Sequence, residues 1–166
     1  MNESRGKVSV LFVCMGNICR SPMAEGAFRK CLEEVQHDLL FEVDSAGTHG
    51  FHTDAPPDKR AQTVAARSGI DISSLKARRV VEDDFERFDY IFAMDQDNLE
   101  WLTAQAPDEY HDKIRLFLEV PTGDPPASVP DPYYGPTSGF ERVLEIVQEG
   151  AESLLSALIE ETRGNR

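Results

Sequence analysis

No stretch of this chain is apolar for long enough to cross a bilayer as a helix. The opening residues, MNESRGK, lack the apolar middle of a secretory signal, so the expected compartment is the cytoplasm. Cysteine is scarce: three in 166 residues, an odd number and too few for a disulfide framework. Basic residues are outnumbered, with 17 Lys and Arg against 30 Asp and Glu, for a formal charge of −13. A binder of nucleic acid or of a membrane surface would show a basic face, so neither partner is expected. The four histidines, His37, His49, His52 and His111, follow no metal-ligand pattern. His49 and His52 belong to a polar loop, either solvated or edging a cleft. An anionic substrate would meet an opposing global field, so any attraction to one must be local.

What is present suits a single domain over 1–166: 40% apolar and 28% charged residues, with no internal repeat. Val8 to Val13 (VSVLFV) reads as a strand covered on both faces. Ser21 can cap a helix that has Pro22 in its first turn and runs to about Gln36. A second strand is expected over Leu40 to Val43, then a loop from Asp44 to Pro57. A helix from Asp58 to Ser68 stops at Gly69. Asp89 to Met94 predicts a third strand, Gln96 to Ala104 a helix, and Ile114 to Leu118 a fourth strand. The proline-rich segment Pro121 to Gly139 is a long loop, and an amphipathic helix begins near Phe140. Strands alternating with helices predict a parallel sheet with helices on both faces. In such sheets ligands sit beyond the carboxyl ends of the strands, which is where Cys14 falls.

The motif there is VLFVCMGNICRSPMAE, Val10 to Glu25. With twelve arginines in the chain, an Arg at that distance from some Cys arises by chance about one time in five, so the context carries the argument. The loop Met15 to Arg20 is short enough for its amides to converge on one point. Gly16 and Asn17 tolerate the left-handed dihedrals of a concave nest. The following helix aims its positive end the same way. Arg20 adds a planar fork for two phosphate oxygens. Amides, helix end and guanidinium all favour an ionised sulfur and hold a tetrahedral dianion above it. A thiolate so placed can attack in line and form a phosphocysteine. Ser21 can offer its hydroxyl to the sulfur, and Asn17 either shapes the loop or is an ordinary turn residue. A nucleotide-binding loop would end in Gly-Lys-Ser/Thr, and this one ends in Cys19-Arg20-Ser21. The candidate general acid is Asp131 in VPDPYYG, stiffened by proline on either side. Tyr133 and Tyr134 either line a cleft for an aromatic ring or pack the loop down.

CMGNICRSPMAE at Cys14 to Glu25, DSAGT at Asp44 to Thr48, FDYIFAMD at Phe88 to Asp95 and DPYYG at Asp131 to Gly135 resemble the low-molecular-weight protein tyrosine phosphatases. The resemblance implies a flavodoxin-like sheet of four parallel strands, order 2-1-3-4, and no metal or organic cofactor. It implies Cys14 as nucleophile, Arg20 as phosphate-binding residue and Asp131 as general acid. It also implies Asn17, Ser21 and Ser45 as a supporting network, and Phe51 facing Tyr133 and Tyr134 across a substrate cleft built on Met15, Gly16, Ile18 and Cys19. In that family the residue matching Cys19 can form a disulfide with the nucleophile, sparing it from irreversible oxidation. Here Cys19 serves as that partner or as a small buried side chain. Cys31 reads as core. Eukaryotic members carry histidines in the segment matching Ser68 to Ser74, where this chain has serines.

The partners implied are phosphotyrosine-bearing proteins, a bacterial tyrosine kinase among them, and inorganic phosphate or oxyanion inhibitors. Arsenate reductases of similar fold use further cysteines in the region matching Ile72 to Met94, which holds none here. Arginine phosphatases tend to carry Thr where this chain has Ile18, and an apolar residue there favours phosphotyrosine.

Overall fold

A computed structural model describes residues 6–119 and 128–164. Four parallel strands are formed by Lys7–Cys14 (β1), Leu40–Gly47 (β2), Tyr90–Ala93 (β3) and Ile114–Leu116 (β4). Their order is β2-β1-β3-β4, as the resemblance implied. Helices α1 (Arg20–Glu34), α2 (Lys59–Arg67), α3 (Asp83–Arg87), α4 (Gln96–Gln105) and α5 (Thr137–Gly164) cover the sheet, with a 3₁₀ turn over Asp108–Lys113. No helix among the described residues is long and apolar enough to cross a membrane.

The alternation of β1 divides the core. Val8, Val10, Phe12 and Cys14 face one side, packed with Met23, Phe28, Val64, Phe140 and Leu154 of α1, α2 and α5. Leu11 and Val13 face the other, with Phe85, Phe88, Ile91 and Leu102 beneath α3 and α4. Phe12 is the hub of the first core. Its ring meets Phe28 and Phe117 edge-on at 5.6 and 5.5 Å and lies 6.1 Å from Phe92.

Several boundaries differ from the sequence reading. β2 continues through Asp44, Ser45 and Ala46 to Gly47, because these residues pair with Leu11 to Cys14 along the full length of β1. Helix α5 begins at Thr137, three residues early, and β4 stops at Leu116. Residues 121–127 of the expected long loop lie outside the described residues. The short α3 was unforeseen, since five residues give no period to read. Ser21 does not cap α1: Cys19 holds the cap position without a side-chain bond, and the Ser21 hydroxyl is used elsewhere. Gly69 ends the second helix at φ 75°, as expected.

Phe12→Ala removes the ring that all three neighbours share. It should cost about 3–5 kcal/mol of unfolding free energy in a urea titration. A loss below about 1 kcal/mol would show that the cluster repacks and that Phe12 is not its hub.

Candidate active site

β1 delivers Cys14 to the carboxyl edge of the sheet, and the chain turns around its sulfur before α1 begins. The Asn17 amide donates to Cys14 Sγ at 3.3 Å, and the Ser21 hydroxyl lies 3.0 Å from it. Asn17 sits at φ 58°, so the left-handed turn falls on the residue that tolerates it. Gly16 does not share that conformation. A Cβ there would lie 3.1 Å from His52 Cδ2, so its bare Cα makes room for the histidine. The amides of Gly16, Ile18 and Cys19 find no acceptor among the described residues.

Behind the loop runs a directed chain of hydrogen bonds. Asn17 Nδ2 donates to Ser21 Oγ at 2.7 Å and to Ser45 Oγ at 3.1 Å. Ser45 Oγ donates to the buried Glu25 at 2.7 Å, whose other oxygen accepts from Arg29 Nε at 2.8 Å. Burial raises the Glu25 carboxyl above its ordinary range, while the bonds from Ser45 and Arg29 oppose the shift. Asn17 Oδ1 accepts from the Arg78 amide at 3.0 Å. The segment Ser68 to Ser74 contributes none of these bonds; Ser73 bonds Asp71 instead.

Arg20 is buried to 3% exposure, and Nη1 donates to Asp95 Oδ2 and, at 3.2 Å, to the Val129 carbonyl. Nη2 lies 3.6 Å from Asp131 Oδ2. Burial works against its charge, but Cys14, Asp95 and Asp131 outweigh it and hold the guanidinium above its usual range. Asp95 also caps α4, accepting from the Asn98 amide at 2.8 Å through its other oxygen. The Asp131 carboxylate accepts from the Tyr133 amide at 3.1 Å.

One cleft is lined by Cys14, Met15, Gly16, Ile18, Cys19, Arg20, Phe51, His52, Asp131, Tyr133 and Tyr134. All the sequence-derived site residues therefore gather here, with Asn17, Ser21 and Ser45 behind the wall. Phe51 and Tyr134 are 79% and 92% exposed, so they form the rim. Phe51 stacks on His49 at 5.3 Å, and Tyr134 meets Tyr133 edge-on at 4.8 Å. Burial, then Asp58, Cys14 and Asp131, push the Cys19 thiol well up and keep it protonated. Among the described residues no group of three or more His, Cys, Asp or Glu is placed to hold a metal ion.

Sequence reasoning missed Asp95, Glu25, Arg78 and the Val129 carbonyl. Two left a signal. Asp95 follows β3, the neighbour of β1, at the sheet edge where ligands bind. Glu25 is four residues from Ser21, on the same face of α1.

A sequence model of the family described as low molecular weight phosphotyrosine protein phosphatase matches residues 9–164. The low molecular weight protein-tyrosine-phosphatase YfkJ of Bacillus subtilis is 41% identical over 154 residues, 93% of this chain and 97% of that protein. Its crystal structure gives a TM-score of 0.86 at 40% identity, covering 94% of this chain and 97% of that one. A protein tyrosine phosphatase from Entamoeba histolytica, crystallised with Hepes in its active site, gives 0.86 at 41% identity, covering 93% and 99%. An arginine phosphatase, YwlE of Bacillus subtilis, gives 0.86 at 26% identity over 94% and 99%, in a mutant with a phosphorylated active site serine.

Gly47 tests the loop's dependence on β2. A Cβ there would stand 2.6 Å from the Met15 carbonyl and 3.2 Å from the Asn17 amide, both backbone atoms that cannot swing aside. Gly47→Ala should weaken inorganic phosphate binding by about tenfold or more in a calorimetric titration. Unchanged affinity would mean that the loop keeps its shape without that contact.

Proposed function

The chain belongs to the low molecular weight phosphotyrosine protein phosphatase family, and on that footing we propose that it hydrolyses phosphotyrosine in proteins through a phosphocysteine. The observation that carries this reading is the sulfur of Cys14 at the floor of a cleft, bonded by Asn17 and Ser21 and flanked by Arg20 and Asp131. In the first step Cys14 attacks phosphorus. The bond to the phenolic oxygen breaks as protonated Asp131 gives its proton to the leaving tyrosine. In the second, water attacks the phosphocysteine, Asp131 takes its proton and the S–P bond breaks, releasing inorganic phosphate.

Arg20 grips the phosphoryl group in both steps. Asp95 and Val129 occupy Nη1, which leaves Nε and Nη2 as the fork for two equatorial oxygens. The unsatisfied loop amides share the same anion. When sulfur leaves, the Asn17 amide and Ser21 hydroxyl receive its charge. Because Asn17 donates to Ser21, the Ser21 proton is left to face Cys14 at 3.0 Å, with the Ala46 carbonyl a more distant acceptor at 3.5 Å. The buried Ile18 side chain walls the cleft with hydrocarbon, which suits a tyrosine ring better than a guanidinium and favours phosphotyrosine over phosphoarginine. Phosphate, vanadate and similar oxyanions would compete for the same site.

Turnover of p-nitrophenyl phosphate should be inhibited by vanadate and abolished by Cys14→Ser. Asp131→Ala should slow it by roughly 10²–10³-fold, and rapid acid quench should reveal phosphorylated Cys14. Activity that persists in Cys14→Ser would remove the nucleophile from the scheme. A second expectation concerns oxidation. Cys19 lines the same cleft as Cys14, and once its thiol gives up the proton that burial holds on it, it can condense with a sulfenic acid on Cys14 to a disulfide, with loss of water. Dithiothreitol should restore activity after peroxide treatment, and Cys19→Ser should make the loss harder to reverse. Equal recovery in both proteins would limit Cys19 to packing.

A further inference from the structure

We infer that Arg60 is a positioning residue for the general acid, clamping the Asp131 loop to the phosphate loop through Asp58. The inference rests on the reading of Asp131 given above. Asp131 needs such a device, because its carboxylate is 38% exposed and its segment crosses the open mouth of the cleft. An acid in that place is useful only if its loop is held at a fixed height above Cys14.

Arg60 contacts both sides of the gap. Nη2 donates to the Tyr133 carbonyl at 3.0 Å, and Nη1 to the Gly135 carbonyl at 3.2 Å. Tyr133 is the residue whose amide donates to Asp131, so the guanidinium fixes the donor that orients the acid. The guanidinium carbon lies 4.4 Å from the Phe140 ring centroid and 5.8 Å from that of Tyr133, which sets its plane against the loop and the start of α5. On the other side, Nε and Nη2 meet the two Asp58 oxygens at 3.1 and 3.0 Å. The Asp58 amide donates to the Ile18 carbonyl at 2.8 Å, inside the phosphate loop. Asp58 also caps α2 through the Arg60 amide at 2.8 Å. The hydrogen bonds from Arg60 hold the Asp58 carboxyl below its ordinary range, which favours the ionised pair. A path of hydrogen bonds thus runs from Ile18 through Asp58 and Arg60 to Tyr133 and Asp131. Arg60 itself does not line the cleft, which separates this role from substrate contact.

The rival role is plain loop packing, and leaving-group dependence tells the two apart. Arg60→Met keeps a stem over Phe140 and removes every donor. With phenyl phosphate, whose leaving group needs a proton, kcat/KM should fall by about 10–100-fold. With 2,4-dinitrophenyl phosphate, which leaves unprotonated, it should stay within about twofold. In the Asp131→Ala background, Arg60→Met should cause no further loss with phenyl phosphate. Arg60→Lys should recover part of the phenyl phosphate rate, since one ammonium can reach a single carbonyl. If Arg60→Met unfolds at the assay temperature, Arg60→Lys and its Asp131→Ala double variant are read in the same way. Equal losses on both substrates, or a full multiplicative loss on top of Asp131→Ala, would overturn the inference while leaving Asp131 as the acid. An Asp131→Ala variant that treats the two substrates alike would instead overturn the acid assignment, and this inference with it.

Discussion

The hydrogen bonds to one sulfur atom organise the carboxyl edge of this sheet. Cys14 ends a strand buried on both faces, and its Sγ is met by a backbone amide three residues on and a hydroxyl seven residues on. The left-handed Asn17, the uncapped start of α1 and the hydroxyl of Ser21 all follow from bringing donors to that point. The donors are themselves ordered by a carboxylate. Glu25 accepts from Ser45, Ser45 and Ser21 accept from Asn17, and the direction of the chain is set at its buried acidic end. A half-satisfied network at this depth would be worse than an apolar core, and this one closes on Arg29 and Arg78.

The electrostatics work against the global balance. The chain carries a formal charge of −13, and an anion approaching from a distance meets repulsion. Among the described residues local attraction is available in the cleft, where Arg20 lies buried next to amides without acceptors in a medium that screens little. On the proposed function, such a surface would select by short-range contact more than by long-range steering, and the exposed rings of Phe51 and Tyr134 stand at the rim where that contact would be made.

Much of this was legible in the sequence for physical reasons. A β-branched run followed by Gly16, Asn17 and a helix start can be read locally, and a parallel sheet follows from strands alternating with helices, whereas the strand order came from the resemblance. The gathering of Cys14, Arg20 and Asp131 could be anticipated from the resemblance, but the partners that hold them could not. Arg20 finds Asp95 across 75 residues and Val129 across 109; Arg60 finds Tyr133 across 73. No local pattern encodes such a separation. The errors have the same origin. Ser21 looks like a cap until the sulfur beside it is seen, and Asp44 to Gly47 looks like loop until β1 is there to pair with it.

On the proposed function, Asp95 bears on how Arg20 would capture a phosphoryl group. One of its oxygens terminates α4 and the other fixes Arg20, so the rotamer of a long, flexible side chain is tied to the end of a rigid element. Free arginines surrender several torsions each time they close on an anion. Here that disorder is already gone when the polypeptide folds, and the encounter itself has little left to freeze. On the proposed function, tight association and quick release of product need not then trade against one another through the mobility of this residue.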